Sequence, residues 1–131
     1  MTANPMTGAA LVSVVDDDES VRESLPDLLR TFGFVAEAFS SAAEFLDSSA
    51  VDRTDCLILD VTMPGMSGPG LQRELSQRGK TTPIVFITAN GDESFRRRMR
   101  DGGAVECLIK PFGEAALLEA VGAALRSRPG M

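Results

Sequence analysis

Five short apolar runs alternate with segments of helical period along this chain, and that alternation limits the possible folds more than any other feature. The runs are Leu11–Val15, Phe34–Phe39, Cys56–Leu59, Pro83–Thr88 and Val105–Ile109. Between the first two, Val21, Leu25, Leu28, Leu29 and Phe32 share one helical face. After the fifth, Leu117, Leu118, Val121 and Leu125 repeat the pattern, and Ser41–Asp47, Pro69–Gln77 and Glu93–Asp101 are shorter helical segments. Strands that alternate with helices pair in parallel through right-handed crossovers, with helices on both faces of the sheet. Cys56–Leu59 and Pro83–Thr88 are continuously apolar, whereas Glu37 and Glu106 interrupt the second and fifth runs. Charges are better tolerated at a sheet edge. These features predict an α/β, doubly wound, five-stranded parallel sheet in the order 2-1-3-4-5.

At 131 residues the chain has the length of one domain, read as 10–126 between loose ends at 1–9 and 127–131. Hydrophobic residues make up 44% and charged residues 24%, a composition that folds rather than remains disordered. A net charge of −6 argues against direct nucleic-acid binding. No apolar run approaches the roughly 20 residues of a membrane helix. The start MTANPMTGAA lacks the basic and apolar stretches of a signal peptide. A cytoplasmic domain without membrane contact is therefore expected. The chain contains no histidine, so imidazole chemistry is excluded. Its two cysteines do not make a disulfide framework.

Ligands of an open parallel sheet bind beyond the carboxyl ends of the strands, where the strand order reverses. The first run leads into Asp16, Asp17 and Asp18, and the third ends at Asp60. Asp18 suits a helix N-cap, but capping does not need three aspartates and does not account for Asp60. Carboxylates crowded into one crevice repel and raise one another's pKa values. A hard divalent cation such as Mg²⁺ removes that cost. The fourth run ends at Thr88, and Lys110 follows the fifth. Cation, ammonium and hydroxyl around one carboxylate are what an aspartyl-phosphate requires. The carboxylate attacks phosphorus while positive charge neutralises the phosphoryl oxygens.

The segments VVDDDESVRESL, LILDVTMPGMSG, PIVFITAN and GGAVECLIKPF resemble a CheY-like response-regulator receiver domain of the FixJ type, apparently a single-domain one. The resemblance spans about Leu11 to Leu125 and implies a flavodoxin-like (βα)5 sandwich. It implies that Asp60 is the phosphoacceptor and that Asp16 and Asp17 hold Mg²⁺ together with Asp60 and the backbone carbonyl of Thr62. It also implies that Thr88 is the switch hydroxyl, that Lys110 pairs with the phosphoryl group, and that the Lys110–Pro111 bond is cis. The implied partners are a sensor histidine kinase or a histidine-phosphotransfer protein, with a phosphorylation-dependent homodimer as a further expectation. Such a domain is a signalling phosphoacceptor that catalyses its own phosphorylation and dephosphorylation, with water entering near Thr62 and Asn90.

Three further features stand out, and the first two depart from the family pattern. Cys107 stands three residues before the lysine, where receivers usually carry Tyr or Phe. It reads as a small hydrophobe on an edge strand in preference to a redox sensor. A disulfide with Cys56 would have to cross two strand spacings, roughly 9.5 Å, which exceeds disulfide reach. Pro26 lies inside the first helix, where it removes a backbone hydrogen bond and should kink or shift the surface that receivers use to dock the phosphate donor. Phe95–Arg100, FRRRMR, is a basic patch that reads as part of a protein interface.

The rival readings fare worse. A phosphohydrolase with an aspartate nucleophile needs a second aspartate two residues on, where this chain has Thr62. A flavin module needs a phosphate-cradling loop where this chain has DDDES. The short tail after the last helix favours a stand-alone receiver over the excised N-terminal part of a larger DNA-binding regulator.

Overall fold

The structure is a computed structural model that describes residues 9–127. The loose ends expected at 1–9 and 127–131 lie almost wholly outside the described residues. The strands are β1 (Leu11–Val15), β2 (Val35–Phe39), β3 (Cys56–Asp60), β4 (Ile84–Thr88) and β5 (Glu106–Ile109). The helices are α1 (Glu19–Thr31), α2 (Ala42–Leu46), α3 (Ala50–Arg53), α4 (Gly68–Gln77), α5 (Glu93–Asp101) and α6 (Glu114–Arg126). The sheet runs β2-β1-β3-β4-β5, and every pairing is parallel. The expected order and edges are present. Glu37 on β2 is paired with Arg53, and Glu106 on β5 with Arg100.

Side-chain alternation along the strands builds two apolar layers. Val12, Val14, Cys56, Ile58, Val85 and Ile87 pack beneath α1 and α6, where Leu25, Leu29, Leu117 and Val121 are buried. Val15, Leu57, Leu59 and Phe86 face the other helices and meet Phe45, Leu71 and Leu75. Phe39 and Phe45 close that layer with ring centroids 5.3 Å apart in an edge-on arrangement. The one buried polar side chain in mid-sheet, Ser13, is satisfied through Thr54. Their hydroxyls lie 2.7 Å apart, and Thr54 Oγ1 donates to the Ala50 carbonyl.

Local signals account for the helix boundaries. Asp18 caps α1 by accepting from the Ser20 N–H, and Gly33, at φ 94°, supplies the left-handed turn that leads into β2. Ser41 and Ser67 cap α2 and α4 in the same way. The one-turn helix α3 has no counterpart in the sequence reading, because four residues are too short to show a period. α1 runs as one element from Glu19 to Thr31 across Pro26, and Pro26 is buried. The proline ring is therefore not on the exposed face of α1, and any influence on docking would act through the backbone.

Candidate active site at the carboxyl edge of the sheet

Strand register brings the predicted side chains together. Val15 pairs with Leu59, so the next residues, Asp16 and Asp60, emerge side by side. Thr88 and Ile109 are partners on β4 and β5, and Lys110 follows directly. The Asp16, Asp17 and Asp60 carboxylates each place an oxygen within 4.8 Å of the others. Lys110 Nζ lies 2.9 Å from Asp16 Oδ2 and 3.7 Å from Asp60 Oδ1. The Lys110–Pro111 bond is cis, as the resemblance implied. Asp60, Thr62, Thr88, Asn90 and Lys110 line an open cleft of about 480 Å³.

The burial of these groups sets their chemistry. Asp16 is fully buried, Asp60 is 6% exposed and Thr88 is 4% exposed, whereas Asp17 is exposed. Asp16 Oδ1 accepts from the Asp18 N–H, and Oδ2 has no hydrogen bond despite the nearby ammonium. Burial, and then the Asp16 charge, push the Asp60 carboxyl up to about 7 against the opposing pull of Lys110. Burial acts to lower the Lys110 pKa, but the Asp16 and Asp60 carboxylates outweigh it and the net shift is upward. An unsatisfied buried carboxylate oxygen, beside two more carboxylates, is a donor set that fits a hard divalent cation. Asp16, Asp17 and Asp60 would hold it, and Thr62 lies on the same cleft.

Two contacts around the site were not legible in the sequence. Arg22 of α1 donates to the Asp16 backbone carbonyl at 3.0 Å and so ties the helix to the acidic corner. The Asn90 N–H donates to Thr88 Oγ1 at 3.0 Å, which fixes the hydroxyl and leaves its proton able to donate into the cleft. The first joins a helix residue to a backbone carbonyl six positions earlier, before the helix begins, a separation that matches no helical spacing. The second depends on how the loop after β4 turns.

The basic segment on α5 is less free than its sequence suggests. Arg96 is bound to Glu93 and to the Cys107 carbonyl, and Arg100 to Glu93 and Glu106. Arg98 lies over the Phe95 ring at 5.6 Å, and Arg97 is exposed. Cys107 is fully buried, and burial raises its thiol pKa. Cys56 is also free and buried, but it belongs to the opposite apolar layer, so the sheet itself separates the two sulfurs.

The family described as the response regulator receiver domain matches residues 12–122. Nodulation protein W of Bradyrhizobium diazoefficiens is 49% identical over 115 residues, covering 88% of this chain and 51% of that protein. Response regulator protein TodT of Pseudomonas putida is 43% identical over 121 residues, covering 92% and 53% respectively. Among solved structures, FixJ-N superposes with a TM-score of 0.83 at 34% identity, covering 93% of this chain and 98% of that one. The chain spans about half the length of the curated relatives it matches. Its sequence, sheet order and acidic strand ends agree, and the chain belongs to the response regulator receiver domain family of two-component signalling.

Proposed function

We propose that Asp60 accepts a phosphoryl group from a sensor histidine kinase or a histidine-phosphotransfer protein, and that Mg²⁺ is required. One observation carries this reading: Asp60 stands on the cleft with Asp16 and Asp17 carboxylate oxygens within 4.8 Å and the Lys110 ammonium 3.7 Å away. Asp60, ionised, attacks the phosphorus of a phosphohistidine, and the departing imidazole takes the bond's electron pair. Lys110 turns its ammonium toward the incoming phosphoryl oxygens, and the Thr88 hydroxyl donates to one of them. Asp16, Asp17, Asp60 and the Thr62 carbonyl would hold a divalent cation, which would supply charge neutralisation there. Water entering beside Thr62 and Asn90 later hydrolyses the acyl phosphate.

An apolar groove beside the cleft fits the donor protein. It is lined by Val21, Leu25 and Leu28 of α1 with Pro111 and Phe112, and Lys110 and Asp18 stand at its lip. A helix laid in this groove would bring its phosphohistidine to Asp60. Output runs through protein contacts in the cytoplasm, including a phosphorylation-dependent homodimer. A second reading, the N-terminal receiver of a larger DNA-binding regulator, is favoured by the half-length coverage of the relatives. Among the described residues no helix is long and apolar enough to cross a membrane.

The test is transfer from a phosphorylated histidine-phosphotransfer protein, with label followed to the Asp60 peptide. Transfer that needs Mg²⁺ and is lost in Asp60→Asn supports the reading. Label at any other residue overturns it.

A further inference from the structure

The chain contains two asparagines. Asn4 precedes Pro5, whose nitrogen carries no hydrogen, whereas Asn90 precedes Gly91, whose backbone nitrogen is shielded by no side chain. Both Asn90 and Gly91 are exposed, and Asn90 lines the cleft that also contains Asp60, Thr88 and Lys110. Asn90 Oδ1 accepts from the Asp92 N–H at 2.9 Å, so the side-chain amide is folded back over the Gly91 peptide instead of extending into solvent. That hydrogen bond also draws electron density from the amide carbon. A β-carbon at Gly91 would meet only Ile109 Cδ1, at 3.8 Å, so there is open space beside the Gly91 backbone.

We propose that Asn90 is a site of deamidation that turns a neutral wall of the Asp60 cleft into an anionic one. The Gly91 nitrogen gives up its proton to hydroxide and attacks Asn90 Cγ. A new C–N bond closes a five-membered succinimide, and the side-chain nitrogen leaves as ammonia after taking a proton from water. Water then adds to either ring carbonyl and breaks one C–N bond, giving aspartate or isoaspartate. Water is the only co-reactant, so asparagine and water become an acidic residue and ammonia.

The aspartate product keeps an oxygen that can accept from the Asp92 N–H, so the turn that leads into α5 survives. It adds one negative charge on the cleft wall. The isoaspartate product lengthens the main chain between the amide that binds Thr88 Oγ1 and the Asp92 cap. Both products disfavour an anionic phosphoryl group at Asp60. This consequence rests on the phosphoacceptor reading; the amide chemistry does not.

The experiment ages the full chain in mildly alkaline buffer beside a synthetic peptide spanning Ile87–Ser94, which serves as the clock. Peptide mapping follows the Asn90 amide, and Asn4 is the internal control. Conversion of Asn90 within about tenfold of the peptide's rate, slowed at least about tenfold by Gly91→Ala, is expected. An Asn90 amide still intact when the peptide has fully converted overturns the site. In parallel, Mg²⁺ with beryllofluoride, a phosphoryl mimic, is titrated into fresh wild type and Asn90→Asp. Binding weakened on the order of tenfold is expected from one added charge at this range, and equal or tighter binding overturns the anionic-wall consequence. Failure of fresh wild type to bind the mimic would count against the Asp60 reading instead, and the amide measurement would still decide the modification site.

Discussion

Lys110 Nζ lies nearer to Asp16 Oδ2, at 2.9 Å, than to Asp60 Oδ1, at 3.7 Å. In this arrangement the lysine neutralises the fully buried carboxylate and holds only a looser contact with Asp60. A cation held at Asp16 would take over that neutralisation and leave the ammonium free to turn toward new charge on Asp60. Removing the ammonium should leave two close carboxylates without their shared counter-charge. In Lys110→Ala, the Asp60 titration midpoint should move above the wild-type value of about 7. Carbon-detected NMR of the aspartate side chains checks this, and a midpoint that falls would contradict it.

The raised Asp60 pKa also has a consequence for stability. In chelator, the folded chain keeps a proton on Asp60 up to about 7, while the unfolded chain loses it near the ordinary value of 3.8. Between those values the native state binds more protons, so this group's contribution to stability falls as pH rises. Asp60→Asn should accordingly gain on wild type across that window, with the two chains most alike near its acid end. Added Mg²⁺ should narrow the gap by stabilising the ionised site. Urea unfolding of both chains across the pH range measures it, and a gap that grows toward acid would refute the sign.

Gly68 is fixed by close approach. A β-carbon there would stand 2.5 Å from the Asp60 carbonyl oxygen, 2.9 Å from Phe86 Cε1 and 3.0 Å from Val61 Cα. Two of those neighbours are backbone of the strand end that carries Asp60, the proposed phosphoacceptor. Gly68→Ala should cost about 1–3 kcal/mol by overpacking and also weaken phosphoryl-mimic binding. Gly91→Ala, which meets only ordinary contact, should stay within about 0.5 kcal/mol of wild type. Denaturant midpoints of the two variants provide the comparison.

Neither cysteine has the environment of a reactive thiol. Burial pushes Cys56 up to about 12 and also raises Cys107, and both residues are fully buried. A thiol reagent at neutral pH should label neither until the chain is unfolded. Rapid native-state labelling of Cys107 would revive a redox role at the position where the family carries an aromatic ring.

The sheet was readable because each strand is a compact apolar run and its edges carry Glu37 and Glu106. The carboxylates were readable because parallel strands put all their carboxyl ends on one side, so residues far apart in sequence share a rim. Helix α3 was not, since its AVDR offers no period. The occupied state of Arg96 and Arg100 was missed as well. Their tethers include the Cys107 carbonyl and Glu106, which only the packing of α5 on β5 brings near. The same holds for the Asn90–Thr88 contact, which is set by a turn and not by a pattern.

The most direct test is phosphoryl incorporation from a small acyl-phosphate donor, read by intact mass and peptide mapping. One phosphoryl group on Asp60, present with Mg²⁺, abolished in chelator and in Asp60→Asn, and strongly reduced in Asp17→Asn, is the expected result. Equal incorporation without a divalent cation, or undiminished incorporation in Asp60→Asn, would contradict the assignment of this cleft as a receiver's phosphorylation site.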